Sequence, residues 1–356
     1  MKIKCEYPYN INEKYKILFK NLINYNVKIP KLKRISKAFI SQDGLVLSKF
    51  LLEKRSGYNL TGKKDINFYF VYWKKILQQY LVCKFGSSLK SKNYNDGSYA
   101  IVHSKWFNYA FWINDSMNRC LLLEQSKNQN FTLLIPESIY NLSFVKETMS
   151  IFNFKIEVIP NDYNCFVRNL ILPETREYTS YFDPISINRV RNKLISYAIN
   201  RSKLSVFHDK IYLSRKKRGI RGLKNEQDVE MKLLEKGFQV LCFEDFSIWD
   251  QILFMNNASW FISNHGAGFS NIMFMQTGAK VLEFLEFDFA HYGNPFPHWR
   301  LANNLGLKYH FILGKAEETQ NIEFVENFKT NSKNRMDFVN REITIDLDEL
   351  QTILDE

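Results

Sequence analysis

The stretch Asn264–Asn271, NHGAGFSN, carries the residue types that an anion-binding turn requires. It follows the apolar run WFIS, which reads as a strand, and it opens a segment that reads as a short helix. Ligands of open α/β sheets bind beyond the carboxyl ends of strands. A turn built on Gly266, Ala267 and Gly268 exposes backbone N–H groups there, and the helix dipole favours negative charge. His265 adds a side-chain donor, and Asn271 a further polar group. The plainer reading is a tight turn that needs glycine for geometry alone, but a histidine in such a turn has no packing reason to be there. The stretch approaches the dinucleotide pattern G-x-G-x-x-G, with Asn271 in place of the last glycine and on a late strand. That argues against a nicotinamide oxidoreductase.

A second group of cations, Arg215, Lys216, Lys217, Arg218 and Arg221, follows the strand-like run KIYLS. Arginine suits bidentate contact with phosphate, and Arg215 sits directly on a strand end. Lys216 to Arg218 read as a solvated loop, the usual fate of a charge run. Glu283 lies inside the apolar run KVLEFL, where an unpaired carboxylate is costly. It either receives ribose or sugar hydroxyls or is satisfied by Arg215 or a backbone group. Gly57–Lys64, GYNLTGKK, fits G-x-x-x-x-G-K but has Lys64 where magnesium binding needs Ser or Thr. Asp346 and Asp348 form a D-x-D within a segment that reads as strand and helix cap. The six histidines are scattered without H-x-x-x-H or H-E-x-x-H spacing, so no metal site is expected.

The elements that must position these groups alternate. Strand-like runs at Lys210–Arg215, Gln239–Phe243, Trp260–Ser263, Lys280–Leu285 and Leu307–Leu313 are separated by helical patterns, including one capped at Asn225 and one at Ser247. This order predicts a parallel sheet with helices on both faces. The first half alternates similarly from Tyr99 to Leu172, with helices expected over Tyr109–Leu123, Ser138–Phe152 and about Ile185–Arg201. Two α/β halves with a cleft between them follow. At 356 residues the chain is long enough for two domains. The expected division is 1–190, 191–316 and a tail over 317–356.

Hydrophobic residues make up 45% and charged residues 24%, which excludes disordered, collagenous and disulfide-scaffold classes. The five cysteines are scattered and odd in number, which suits a reducing compartment. The first residues, MKIKCEYPYN, contain no signal-type apolar stretch, and no apolar run approaches the roughly 20 residues of a membrane span. A cytoplasmic protein is the expectation. Residues 1–55 hold 13 Lys and Arg against 4 Asp and Glu, so nine of the twelve net positive charges sit there. Lys14–Phe39 mixes apolar and basic residues and could rest on the anionic inner face of a membrane, or simply be a solvated basic face. No zinc finger, aromatic RNA-binding sheet or basic zipper accompanies it, so nucleic acid is not an expected partner.

KIYLSR with Arg221 and NEQDVE, then GF with FEDF and WDQILFMNNA, then NHGAGFSNIMF, KVLEFLE and LANNLGLKY together resemble the block order of glycosyltransferase family 61 over about residues 208–310. Asn108–Leu123 is similar to that family's N-terminal block: Trp112, Asp115 and Arg119 fit, Phe111 stands in a histidine place and Asn118 in a proline place. The resemblance implies a GT-B-like α/β fold, two Rossmann-like domains with parallel sheets facing a central cleft. It implies an inverting, metal-independent glycosyltransferase of hexosyl, pentosyl or N-acetylhexosaminyl class. The co-substrate would be a nucleotide sugar, expected to be a UDP-sugar, with no further cofactor. The acceptor would be a glycan or lipid-linked glycan, in bacterial capsular or surface polysaccharide biosynthesis. Arg215, Arg221, His265 and the Gly266–Gly268 amides would stabilise the leaving diphosphate, and Asp115 would be the base on the acceptor hydroxyl unless it is a helix-surface acid. The alternative is a non-catalytic, degenerate sugar-nucleotide-binding partner protein, which Phe111 in the histidine place motivates.

Overall fold

The computed structural model describes residues 1–60, 66–86, 88–126, 130–290, 296–317 and 340–356. Residues 61–64 of the GYNLTGKK stretch therefore lie outside the described residues. The chain forms two compact units, one of Val27–Val190 with Met1 and the other of Lys2–Asn26 with Arg191–Glu356.

In chain order the strands are β1 (Lys2–Lys4), β2 (Asn24–Asn26), β3 (Leu32–Ile40), β4 (Val46–Ser48), β5 (Leu51–Leu52), β6 (Lys90–Tyr94), β7 (Tyr99–Ala100), β8 (Thr132–Pro136), β9 (Lys155–Ile159) and β10 (Tyr163–Pro173). Then follow β11 (Lys210–Leu213), β12 (Gln239–Leu241), β13 (Trp260–Asn264), β14 (Lys280–Glu286) and β15 (Lys308–Gly314).

The first unit is built on β10. On one side β7, β8 and β9 continue a parallel sheet, and β6 also runs parallel to β10. On the other side β3, β4 and β5 extend it antiparallel. The sheet is thus mixed, a correction to the purely parallel expectation, because residues 1–95, whose periodicity is weak, supply its antiparallel half. One face buries Ile40, Val46, Ile101, Leu134, Val167 and Leu172. On the other, the helix Ile66–Phe85 sets Trp73, Leu77 and Tyr80 against Phe39, Leu47 and Leu52. The expected helix Ser138–Phe152 is two, Glu137–Tyr140 and Ser143–Met149, broken where Asn141 ends the first.

The second unit holds five parallel strands in the order β12-β11-β13-β14-β15. This is a doubly wound order in which the strand sequence reverses between β11 and β13. Alternation along the strands divides the core. Ile262, Leu282 and Phe284 face the helices Glu226–Glu235 and Leu347–Asp355, which contribute Val229, Leu233, Leu350 and Ile353. Phe261 faces the opposite layer and meets Phe269. Ser247 caps the helix Ile248–Asn257 by accepting the Asp250 N–H, as its sequence position predicts. Asn225 precedes its helix without capping it, and instead donates to and accepts from the Ile345 backbone.

Two domain expectations need correcting. Residues 2–26, counted with the first domain, pack on the second unit. Phe19 lies 4.2, 4.9 and 5.4 Å from the rings of Phe296, Trp299 and Phe311, Trp299 donates to the Glu6 carbonyl, and Tyr9 donates its N–H to the Tyr309 carbonyl. Burial of these aromatics outweighs the segment's charge. Lys14–Phe39 is accordingly no continuous amphipathic segment but a helix over Glu13–Lys20, followed by β2 and β3. Likewise the described part of the tail, 340–356, is no appendage: Ile343, Ile345 and Leu350 join the second core. Asp346 caps the final helix by accepting the N–H groups of Asp348 and Glu349.

Candidate functional site

The reversal of strand order between β11 and β13 is where an open α/β sheet leaves a crevice at its strand ends. Arg215 follows β11, and His265–Gly268 follow β13. Gly266 belongs there for a specific reason. A Cβ on it would lie 2.2 Å from Arg215 Nη1, so only glycine lets the guanidinium lie against the turn. Ala267 opens a short 3₁₀ helix, Ala267–Phe274, where a short helix over Gly268–Met275 is expected. Asn271 is fully buried and donates to the Gly268 carbonyl. It braces the turn from within, which corrects its expected place among the ligand contacts.

Arg221 enters from the loop after β11 with φ 60°, the left-handed region that a non-glycine residue occupies at a cost. The Asn264 side chain accounts for it by donating to the Arg221 carbonyl at 2.6 Å. Arg221 Nη1 lies 3.5 Å from the His265 carbonyl, and its Nε donates to Asn340. Burial pushes the Arg221 guanidinium down to about 10, with Arg215 adding to the shift. Arg215 is also pushed down by burial and by Arg218. Among the described residues neither arginine has a carboxylate within ion-pair distance, and Arg215 Nε has no hydrogen-bond partner. Their neighbours differ. Lys216 pairs with Glu230, Lys217 with Asp245 and Arg218 with Glu244, all at the surface, as a solvated loop should.

Glu283 is 0% exposed. Its Oε1 lies 2.6 Å from Nδ1 of both His265 and His298, and its Oε2 accepts the Tyr309 hydroxyl at 2.6 Å. Burial pushes this carboxyl up, but the two imidazoles and their N–H bonds outweigh it and hold it well below the usual carboxylate range. Both oxygens are therefore engaged by side chains of the fold. Its partners are neither Arg215 nor a backbone group, which corrects the expected structural role. A carboxylate only accepts, so each Nδ1 carries a hydrogen and the tautomer of His265 is fixed with Nε2 as its other ring nitrogen. Burial pushes His265 below its ordinary value, and Glu283 opposes without cancelling this.

The ligating atoms of His265, Glu283 and His298 all lie within 4.8 Å of one another. This cluster of metal-ligand type is not visible in the sequence, because the register of β14 and the helix Pro297–Leu305 assemble it. Its contacts are those of a hydrogen-bonded network: two short N–H···O bonds on one oxygen and a hydroxyl on the other. His298 and Tyr309 were not singled out by sequence reasoning, and neither has a spacing to His265 that could have flagged it. Glu286 was missed as well. It lines the recess beside Arg221 and His265, and burial pushes its carboxyl up to about 7 although Arg341 lies 3.7 Å away.

In the first unit, Tyr109–Glu124 is helical with a π segment at Trp112–Ser116, a widening of the kind often found at functional sites. Asp115 lies in it, 2% exposed, so it is no helix-surface acid. Its Oδ1 accepts the Arg176 N–H at 3.1 Å and its Oδ2 has no partner. Arg119 is fully buried and donates to the carbonyls of Val102, His103 and Pro173. It ties together strand ends.

Residues 109–282 match the family model Glycosyltransferase 61. The matched stretch begins at the π-segmented helix and ends within β14. Glu283, Glu286, His298 and Tyr309 lie beyond the matched residues. No curated protein is significantly similar to the chain.

Proposed function

We propose that this protein is an inverting, metal-independent glycosyltransferase of GT-B architecture that takes its sugar from a nucleoside diphosphate, with UDP-sugars as the first candidates. The observation that carries this reading is the pair of half-buried guanidinium groups, Arg215 and Arg221, that meet at a glycine turn with no carboxylate within ion-pair distance among the described residues. Two half-buried cations side by side without an ion-pair partner suit a place where an anion completes the set. A diphosphate supplies two or more negative charges at that place.

In this mechanism the acceptor oxygen bonds to the anomeric carbon as the bond from that carbon to the diphosphate oxygen breaks. The electron pair stays on the diphosphate, whose charge is met by Arg215, Arg221 and the amides of Gly266, Ala267 and Gly268. The bound diphosphate raises the proton affinity of His265, so that Nε2 gains a hydrogen to donate to it. Glu283 holds that ring in place. Asp115 is the proposed base on the acceptor hydroxyl. The acceptor proposed is a glycan or lipid-linked glycan of bacterial surface polysaccharide assembly, an extension that rests on the family.

Titration calorimetry with UDP and other nucleoside diphosphates, followed by a hydrolysis and transfer screen with sugar nucleotides, tests the reading. Binding that Arg215→Ala weakens strongly, together with a large fall in turnover, is the expected result. Binding without any turnover would make the chain a non-catalytic partner protein, and no binding would remove the donor site.

A further inference from the structure

The first unit contains a second concentration of polar groups that no hydrogen bond in the fold explains. Asn114 and Asp115 project from the π segment, Arg176 follows β10, and Ser186 lies in the first turn of the helix Pro184–Arg201. Their exposures are 6, 2, 8 and 6%. All four line one recess. Asn114 Oδ1, Asp115 Oδ2, Arg176 Nε and Nη1, and Ser186 Oγ are buried there without a hydrogen-bond partner. Buried polar atoms are nearly always satisfied, so five in one place call for an occupant.

The chemistry of the open atoms describes that occupant. Two are acceptors, two are donors and one is a hydroxyl that does both. The charges are close to balanced, because Arg176 stands against Asp115, and Asp183 already accepts the Ser186 N–H at 2.8 Å. A phosphate would need surplus cations and a divalent cation would need surplus carboxylates without a guanidinium among them. Hydroxyl groups, which donate and accept from one oxygen, match the mixture. The guanidinium is held by aromatic faces, 4.4 Å from the Phe182 ring and 5.8 Å from the Tyr58 ring. Such stacking fixes its position and leaves N–H groups for a ligand.

We propose that Asn114, Asp115, Arg176 and Ser186 form a carbohydrate subsite that receives a hydroxyl group of an acceptor sugar. The assignment deepens the glycosyltransferase reading and rests on it for the word acceptor, but the binding of a sugar is testable without turnover. In this site Arg176 and Asn114 orient that hydroxyl, and Asp115 Oδ2 is the one strongly basic open atom that it can meet.

The probe is a panel of methyl glycosides of glucose, galactose, xylose and N-acetylglucosamine, observed by saturation-transfer NMR with the full chain. At least one glycoside should receive saturation from the wild-type protein. Ser186→Ala and Asn114→Ala should each weaken that signal about fivefold or more, while a thermal melt of each variant reports whether it is folded. Arg176→Lys, which keeps charge and loses the fork, is the third variant and should weaken it too. Arg215→Ala should leave the glycoside signal intact while binding UDP much more weakly. Transfer to no glycoside, or transfer that all folded variants retain in full, would mean that the recess holds only water and would overturn the proposal. A glycoside signal of the expected pattern in a protein that fails to bind UDP would keep the subsite and remove the donor reading instead.

Discussion

The glycine turn of the second unit and the Asn114–Asp115 recess of the first are both polar places, the one half-buried and the other buried, yet they are short of different things. At the turn, Arg215 and Arg221 are two cations without an ion-pair partner among the described residues. In the recess, donors and acceptors are nearly matched and all that is missing is hydrogen-bond partners. The difference separates an anion site from a site for a neutral hydroxyl group. It also sets the Glu283 network apart from both: each carboxylate oxygen is engaged by side chains of the fold, so it positions His265.

Breaking that third arrangement should produce the largest effect. Glu283→Ala strands two imidazoles and a tyrosine hydroxyl in the core, and a loss of about 3–5 kcal/mol in chemical denaturation is expected. A loss below about 1 kcal/mol would mean the network is not what holds His265. Next comes Arg215→Ala, which removes one of the two cations at the turn. It should lower turnover roughly 10²–10³-fold with little change in stability, measured by steady-state transfer beside a denaturation curve. Near-normal turnover would dissolve the contrast between the two regions.

The recess beside Arg221 offers a pH test. The Glu286 carboxyl titrates near 4.5 when unfolded and is pushed up to about 7 in the fold, chiefly by burial. The folded chain therefore holds this proton more tightly. The resulting stability is complete below pH 4.5 and is lost as pH rises through 7, a total of about 3 kcal/mol. Denaturation curves between pH 5 and 8 should show this slope in the wild type and a flatter profile in Glu286→Gln. Equal slopes would place the titrating group elsewhere.

Smaller effects sharpen the picture further. Chelators should leave transfer unchanged, because the His265–Glu283–His298 trio is assigned here to hydrogen bonds. Loss of activity in EDTA with recovery in manganese or zinc would reassign it to a metal. The weakest expected effect concerns peripheral residence on the inner membrane face. Among the described residues no helix is long and apolar enough to cross a membrane. Lys14, Lys20, Lys31 and Lys37 are exposed. Co-sedimentation with anionic vesicles should be detectable at low salt and fade as salt rises. Equal binding to neutral vesicles would withdraw the membrane proposal.

Much of the second unit was legible because its signals are local. The strands around Tyr212, Ile262 and Leu282, the Ser247 cap, and the turn at Gly266–Gly268 each declare themselves within a few residues. That Arg215 and the His265–Gly268 turn follow neighbouring strands was legible too, since KIYLS and WFIS are both local strand signals. The first 95 residues were not, because β3 and β10 pair across more than a hundred residues and neither carries its partner's pattern.

By itself, the sequence determined the alternation of strands and helices, the glycine turn with its histidine, and the family those blocks resemble. Only the tertiary structure decided which charges are satisfied. Ser263 and Glu283 are register partners, so His265, two residues on, shares the face of Glu283, while His298 arrives on a separate helix 15 residues later and Tyr309 on β15 after 26. The same holds for Phe19, which joins a core almost three hundred residues away. A buried charge or ring takes its partners from sheet register and layer packing, and these are properties of the folded chain that no short window of residues contains.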